Sequence, residues 1–449
     1  MLALESAFVQ LWASDSLSSN DLTQSMLIRF VFALLLVCTA FVPVDAEAQT
    51  ADSNLVRAKR ILHSTPLVDG HNDLAWRIRE DTHTPRDVEA YDLRQKTAGH
   101  TDLARMKEGM VGAQFWSVYI PGEIKDSGYA RVQLEEIDIA RRFIAKYPER
   151  LAFATRAADI RRDFAQGKVA SFLGMEGGHA IENSLGALRA YYDMGIRYMT
   201  LTHNVTLDWA DAALDEPKHG GLTPFGKEVV REMNRMGMLV DLAHVSPGTM
   251  SAALDVAVAP VIFSHSGSRA LVDHPRNVPD SILARLPTNG GIVMVPFVTS
   301  FVSAKVRARD VAEEQARKNA KAKFGTDSAV VEHEMSAWRA AHPAVHASIA
   351  DVADQIEHVR DVAGIDHVGI GSDFDGITDT IDGLGDVSTF PLVFAELARR
   401  GWSDAEMRKL AGENFIRVFT RAESVAARLQ KERKPSTATI AQLDGKMHP

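Results

Sequence analysis

The sequence predicts an α/β fold: a (β/α)8 barrel of the TIM type, with extra helices between its seventh and eighth strands. Three observations predict it. From about residue 56 to residue 423, short apolar runs alternate with amphipathic helical stretches, the pattern of parallel strands with crossovers. There are eight such runs, the number that closes a barrel. The acidic and imidazole residues collect at the carboxyl ends of those runs, where barrels of this kind build their sites.

The runs are Leu67–His71, Gly112–Tyr119, Val169–Glu176, Arg197–His203, Met238–His244, Pro260–His265, Gly291–Phe297 and His367–Asp373. Between them lie helix signals. Thr223-Pro224 opens a helix that carries Phe225, Val229, Met233 and Met236 on one face, and Gly237 ends it. Ser246 caps a second helix with Pro247 at its first position, running through Met250 and Leu254. Residues 303–363 are rich in Ala, Lys, Glu and Arg and predict the extra helices before the eighth strand. The stretch Lys431–Pro449 is polar and expected to be loose. The expected organisation is an N-terminal extension with a signal peptide over 1–48, a barrel domain over 49–430 and a polar tail over 431–449.

The N-terminus reads as a targeting segment. Arg29 precedes the apolar run Phe30–Val42, and Ala46-Glu47-Ala48 follows as a small-x-small cleavage site. The run is too short to span a bilayer, although an uncleaved anchor is the competing reading. Met26 is the natural start of such a leader, which then covers about residues 26–48. The single cysteine, Cys38, falls inside it, so the mature chain carries no thiol. Export without disulfides predicts a periplasmic or secreted protein with no stable membrane anchor after cleavage. It also excludes cysteine nucleophiles and thiolate zinc sites.

A formal charge of −9, spread without a basic stripe, gives no footprint for nucleic acid. Other catalytic signatures are missing. His333-Glu334-Met335-Ser336-Ala337 has alanine where a zincin helix needs its second histidine, and no nucleophile elbow, phosphate loop or dinucleotide fingerprint occurs.

The chemistry-bearing residues are His71 with Asp73, Glu176, His203, His244, His265 and Asp373. A lone strand histidine is more often a hydrogen-bonded core residue than a ligand. Six strand ends carrying such residues together are a stronger signal. In His71-Asn72-Asp73 the strand period of two puts imidazole and carboxylate on one side, suiting a zinc-type ion, while Asp73 has capping the next helix as its alternative. Glu176 ends an apolar strand, where an ionised carboxylate is costly unless paired. Its two oxygens can bridge two cations, and an arginine salt bridge is the other reading. His244 and His265 end adjacent strands 21 residues apart, so their imidazoles are expected side by side at a second metal site.

Asp373 lies in Gly369-Ile370-Gly371-Ser372-Asp373-Phe374-Asp375-Gly376, where Gly369 and Gly371 share its face and are expected to leave room for substrate. A calcium loop needs an oxygen ligand where Ile377 stands. His203 is placed to polarise a carbonyl, or is a core histidine. Arg276, in the loop after the sixth strand, is placed to grip a carboxylate in bidentate fashion, or lies at the surface.

Taken together, the motifs resemble the membrane (renal-type) dipeptidases, zinc peptidases of the amidohydrolase-like barrel superfamily. The resemblance covers about residues 56–423. It rests on Val68-Asp69-Gly70-His71-Asn72-Asp73-Leu74, Glu176-Gly177-Gly178-His179, Leu201-Thr202-His203-Asn204 with Trp209-Ala210-Asp211, Asp241-Leu242-Ala243-His244-Val245-Ser246, Ser264-His265-Ser266, Arg276-Asn277-Val278-Pro279 and Gly371-Ser372-Asp373-Phe374-Asp375-Gly376. The resemblance implies two zinc ions per chain, one held by His71 and Asp73, the other by His244 and His265, with Glu176 bridging. It implies that His203 contacts the scissile carbonyl, that Arg276 binds the C-terminal carboxylate of a dipeptide, and that Asp373 is the acid and base for a metal-activated bridging water. A related binuclear amidohydrolase acting on N-acyl amino acids or lactams is the alternative.

Three departures stand out. The disulfides and lipid-anchor signal of the vertebrate relatives are missing, Pro296 replaces an expected polar residue in the substrate wall, and the long insert is a candidate for shaping the pocket or a dimer contact. A homodimer is expected.

Overall fold

The protein is described by a computed structural model over residues 52–124, 128–325 and 327–445. The expected leader and Cys38 lie outside the described residues. Nine strands are present among them: β1 (Leu67–Asn72), β2 (Val111–Ser117), β3 (Leu151–Phe153), β4 (Val169–Glu176), β5 (Ile196–Thr200), β6 (Leu239–Asp241), β7 (Ile262–Phe263), β8 (Ile292–Val295) and β9 (Val368–Ile370). All pairings are parallel, and eight strands close a barrel in the order β1, β2, β4, β5, β6, β7, β8, β9 and back to β1. The ninth, β3, was not anticipated. It lies outside the ring beside the start of β4, with Leu151 opposite Val169, and three residues are too few to register as an apolar run.

The strands from β5 onward are shorter than the runs that predicted them. His203, His244, His265 and Asp373 therefore stand in the loops just past strand ends, while His71 and Glu176 remain in strands. The cause is burial: Leu201, Leu242, Ala243 and Phe297 continue the apolar pattern after ladder pairing stops, because the loops themselves are packed.

Below these loops the barrel is filled with side chains. Val68, Phe115, Phe172, Tyr198, Ile262 and Met294 form one cluster with Phe415 and Phe419 of the helix Asn414–Glu432. Phe115 stacks between Phe172 at 4.9 Å and Tyr198 at 5.0 Å. Two glycines make this packing possible. A Cβ on Gly174 would fall on the Tyr198 ring, and one on Gly371 would collide with the carbonyl oxygen of Ser264. The second contact corrects an expectation: the space over Gly371 is taken by the backbone just past β7, not left for substrate.

The helix signals hold. Thr223 accepts from the Gly226 N–H at the start of Pro224–Met236, and Gly237 ends that helix at φ +87°. Ser246 accepts from the Thr249 N–H at the start of Pro247–Val256. The extra helices Thr299–Val302, Ala304–Phe324, Ser328–Ala341 and Ile349–Ala363 lie between β8 and β9, the seventh and eighth strands of the ring. The C-terminal stretch expected to be loose is docked in its described part. Arg433 pairs with Glu228, the Ser436 N–H reaches Glu232 at 3.3 Å, and Asp444 accepts from the Phe225 N–H at 2.9 Å. Its polar residues find fixed partners on the helix Pro224–Met236, which polarity alone did not reveal. Among the described residues, no helix is long and apolar enough to cross a membrane.

Candidate metal and substrate site

Each predicted residue reaches the same end of the barrel. The hub is Glu176, the last residue of β4. Its Oε2 lies 3.4 Å from His71 Nε2, and its Oε1 lies 2.8 Å from His244 Nε2 and 3.5 Å from His265 Nε2. The two imidazoles from adjacent strands meet at 2.9 Å between Nε2 atoms. On the other side, Asp73 Oδ2 stands 3.3 Å from His71 Nε2, with Asp373 Oδ1 farther away at 3.9 Å.

Two alternatives fall on this geometry. Asp73 occupies the position before the helix Leu74–Arg79, yet its side chain makes no capping bond, and its buried Oδ1 has no hydrogen-bond partner. Glu176 pairs with imidazoles and the Ser117 hydroxyl, and among the described residues it has no arginine or lysine partner.

Each imidazole is aimed by its second nitrogen. His71 Nδ1 meets the Tyr198 hydroxyl at 2.8 Å, His244 Nδ1 meets Asn204 Oδ1 at 3.0 Å, and His265 Nδ1 meets the Ser264 hydroxyl at 2.8 Å. Such outer contacts fix ring orientation and tautomer for a ligating histidine. Backbone strain concentrates here too. His244 and Asp373 both adopt left-handed φ values, +67° and +68°, which non-glycine residues hold only where the surroundings enforce it.

The electrostatics separate the groups by role. Burial pushes His244 and His265 well below the ordinary imidazole range, and the Arg276 charge adds to it. Both are therefore neutral, the ligating form. Burial opposes ionisation of Glu176, but His71 and the hydrogen bond from His244 outweigh it and hold the carboxyl well below its usual value. His71 runs the other way. Burial again acts against its charge, yet Tyr198, Glu176 and Asp73 raise it well above the ordinary range, so without a metal this ring keeps a proton between two carboxylates. Burial raises Asp373 well above the carboxylate range; Asp73 and Glu176 push the same way, against His71 and Arg276.

The His203 ring lies between those of His244 at 4.3 Å and Tyr119 at 4.7 Å, tilted against both, with Nδ1 unpartnered. Arg276 is 4% exposed and its Nε has no partner; one long contact of 3.5 Å reaches the His265 carbonyl. Among the described residues no carboxylate lies within ion-pair distance. Burial lowers its pKa to about 10, which leaves it charged at neutral pH. A buried guanidinium without a counter-ion is costly, and a ligand anion removes that cost. Arg276, His203, Tyr119, Trp76 and Asp373 line one cleft of about 360 Å³ with the carboxylates and imidazoles of the cluster, a volume in the range of small-ligand sites.

The model of the membrane dipeptidase family (peptidase family M19) matches residues 55–433. The chain belongs to this family. The dipeptidase also resembles solved structures over most of its length. A probable dipeptidase from Pseudomonas aeruginosa shares its fold at 22% identity and a TM-score of 0.72, over 84% of this chain and 100% of that one. A metallopeptidase from Rhodobacter sphaeroides, liganded with a phosphinate mimic of the dipeptide L-Ala-D-Ala, is 26% identical, with a TM-score of 0.65 over 80% of this chain and 99% of that one. A dipeptidase of peptidase family M19 is 27% identical, with a TM-score of 0.66 over 80% of this chain and 98% of that one.

The dipeptidase is thus a metal-dependent hydrolase, and its residues fit a metal. Three sets of side chains bring ligand atoms within 4.8 Å of one another: His71, Glu176 and His265; Glu176, His203 and His244; and His71, Asp73 and Asp373. The buried Nε2 of His71 has no satisfied hydrogen bond, an orphan that a cation resolves. Nitrogen and oxygen donors alone suit a borderline ion such as zinc. Tetrahedral ligands at roughly 2.0–2.1 Å from such an ion stand about 3.3 Å apart, close to the spacings of His71 to Asp73 and to Glu176. Sequence reasoning gave no role to Tyr198, Ser117, Tyr119 or Trp76. Tyr198 carried a signal: it is a polar tip on an inward position of β5, two residues before the strand ends.

Proposed function

We propose that the protein is an exported binuclear zinc dipeptidase that cleaves dipeptides bearing a free C-terminal carboxylate. One observation carries this reading: the two oxygens of Glu176 face different groups, Oε2 toward His71, which Asp73 also contacts, and Oε1 toward His244 and His265. A carboxylate so divided suits two cations, and the relative that binds a dipeptide mimic supports the substrate class. His71 and Asp73 would hold one ion, His244 and His265 the other, with Glu176 shared. Bound there, the ions supply a Lewis acid for the scissile carbonyl and bring the pKa of a water to about 7.

The chain's own residues do the rest. Arg276 grips the substrate carboxylate through its unpartnered guanidinium edge and fixes how far the chain extends past the scissile bond. His203, neutral because burial lowers its pKa, donates an N–H to the carbonyl oxygen as negative charge develops there. Asp373 takes the proton from the attacking water and delivers it to the departing amine.

Turnover of a panel of dipeptides, set beside their C-terminal amides, an N-acyl amino acid and a lactam, tests the substrate class. Arg276→Ala sharpens the test. The expected result is a KM for free dipeptides raised roughly tenfold to a hundredfold, the worth of a charge-assisted contact, with kcat changed little. An unchanged KM removes Arg276 from the binding site. Preferred hydrolysis of the N-acyl amino acid or lactam overturns the dipeptide assignment.

Acidity separates the two metal positions. Ligation needs a neutral imidazole, so protons compete with metal at His71, whose pKa is raised, far more than at His244 and His265, whose pKa values are lowered. As pH falls, metal should leave the His71 position first, giving a plateau near one ion per chain. Metal content after equilibration at each pH reads this out. Simultaneous loss of both ions contradicts it.

A further inference from the structure

Asp69 lies in the middle of β1 and does not line the cleft. It is fully buried, and among the described residues it has no cationic partner. Its carboxylate takes two bonds from one residue across the β1–β9 seam. Oδ1 accepts the Ser372 N–H at 2.7 Å, and Oδ2 accepts the Ser372 hydroxyl at 2.7 Å. Gln114 from β2 donates to the same Oδ2 at 2.9 Å. Ser372 immediately precedes Asp373, whose own N–H reaches the His71 carbonyl at 3.1 Å, and its hydroxyl also accepts the Phe374 N–H at 3.3 Å. The residue held on both sides is thus one whose backbone sits at a left-handed φ of +68°.

The same device occurs a second time. Asp241 in β6 accepts the Ser264 N–H at 2.9 Å and the Ser264 hydroxyl at 2.6 Å, and Ser264 immediately precedes His265. Two buried aspartates on different strands each clasp the backbone and hydroxyl of a serine, and each serine stands directly before a residue of the cleft. Burying a carboxylate among neutral donors costs stability that an apolar residue would not.

We infer that Asp69 and Ser372 are positioning residues that hold Asp373 in its strained, proton-transferring orientation. This rests on the proposed role of Asp373. The clasp fixes the backbone one residue ahead of the reacting carboxylate, where a small rotation about φ and ψ swings the side chain across the cleft. Misplacement by about 1 Å is enough to cost roughly a hundredfold in rate.

The test uses the zinc-loaded full chain. Ser372→Ala removes the hydroxyl arm and adds no bulk. The expected result is a kcat for a dipeptide lowered by roughly tenfold to a hundredfold, with KM within about twofold, metal content unchanged, and the limb of the kcat pH profile set by Asp373 displaced. Ser372→Thr, which keeps the hydroxyl, should recover most of the rate. Asp373→Asn is run beside it. If Asp373→Asn is inactive while Ser372→Ala matches the parent in rate and pH profile, the clasp proposal fails and the proton-transfer role stands. If Asp373→Asn is fully active, the role of Asp373 fails first. A Ser372→Ala protein that loses metal, or slows only in step with a lowered Tm, shows a structural role and overturns positioning. Should that variant not fold, Asp69→Asn, which keeps size and can still accept the Ser372 N–H, is read in the same way.

Discussion

Replacing Asp373 with asparagine leaves the metal content unchanged and lowers kcat for a dipeptide by roughly 10²–10⁴-fold, the usual worth of a positioned acid and base. The geometry makes this a sharp expectation. Asp373 Oδ1 stands 3.9 Å from His71 Nε2, beyond the 3.3 Å and 3.4 Å of Asp73 and Glu176, so it belongs to the reacting side of the cluster more than to the ligand shell. Asparagine keeps the shape and the backbone hydrogen bonds but cannot exchange a proton. Steady-state kinetics with metal analysis on the same sample decide the matter. Loss of metal in the variant would make Asp373 a ligand, and near-parental kcat would end its role in proton transfer.

Glu176→Gln should have the larger effect. The amide keeps one oxygen but turns the other donor atom into an N–H that cannot ligate, and it removes the negative charge beside His71 and His244. Metal content is expected to fall below one ion per chain, and dipeptide turnover to drop beyond detection. Added zinc should not restore it, because the missing anion served both positions. The Ser117 hydroxyl, 3.1 Å from Oε2, retains a partner in the variant, so the fold is expected to survive. A variant that holds two ions would show that Glu176 is not shared between them.

Much of this site was legible in the sequence because barrel topology makes strand ends converge. Once eight runs were counted, His71, Glu176, His244, His265 and Asp373 had to approach one another, and the interval between His244 and His265 already placed them side by side. What the sequence concealed falls under two physical headings. Ladder hydrogen bonds end before apolar character does, so runs that finish in packed loops look like longer strands; Leu201 and Leu242 misled in this way. Side chains that orient other side chains leave no periodic trace: Tyr198 behind His71, Asn204 behind His244 and Asp69 behind Ser372 are single polar residues whose partners lie far away in sequence. The buried aspartates did carry a mark, an acidic residue within an apolar run. That mark gains meaning only when the residue across the seam is known. The docking of residues 433–445 was hidden for a related reason, since polar composition describes a loose tail and a polar clasp equally well.

The central claim concerns a two-ion centre built around one glutamate, and zinc titration tests it most directly. Protein stripped of metal by chelator is titrated with zinc while bound ions and dipeptide hydrolysis are followed together. Hydrolysis should be absent at the start and rise to a maximum as the second equivalent per chain binds. Full hydrolysis by the stripped protein, or a maximum reached at one equivalent with no further binding, would contradict it.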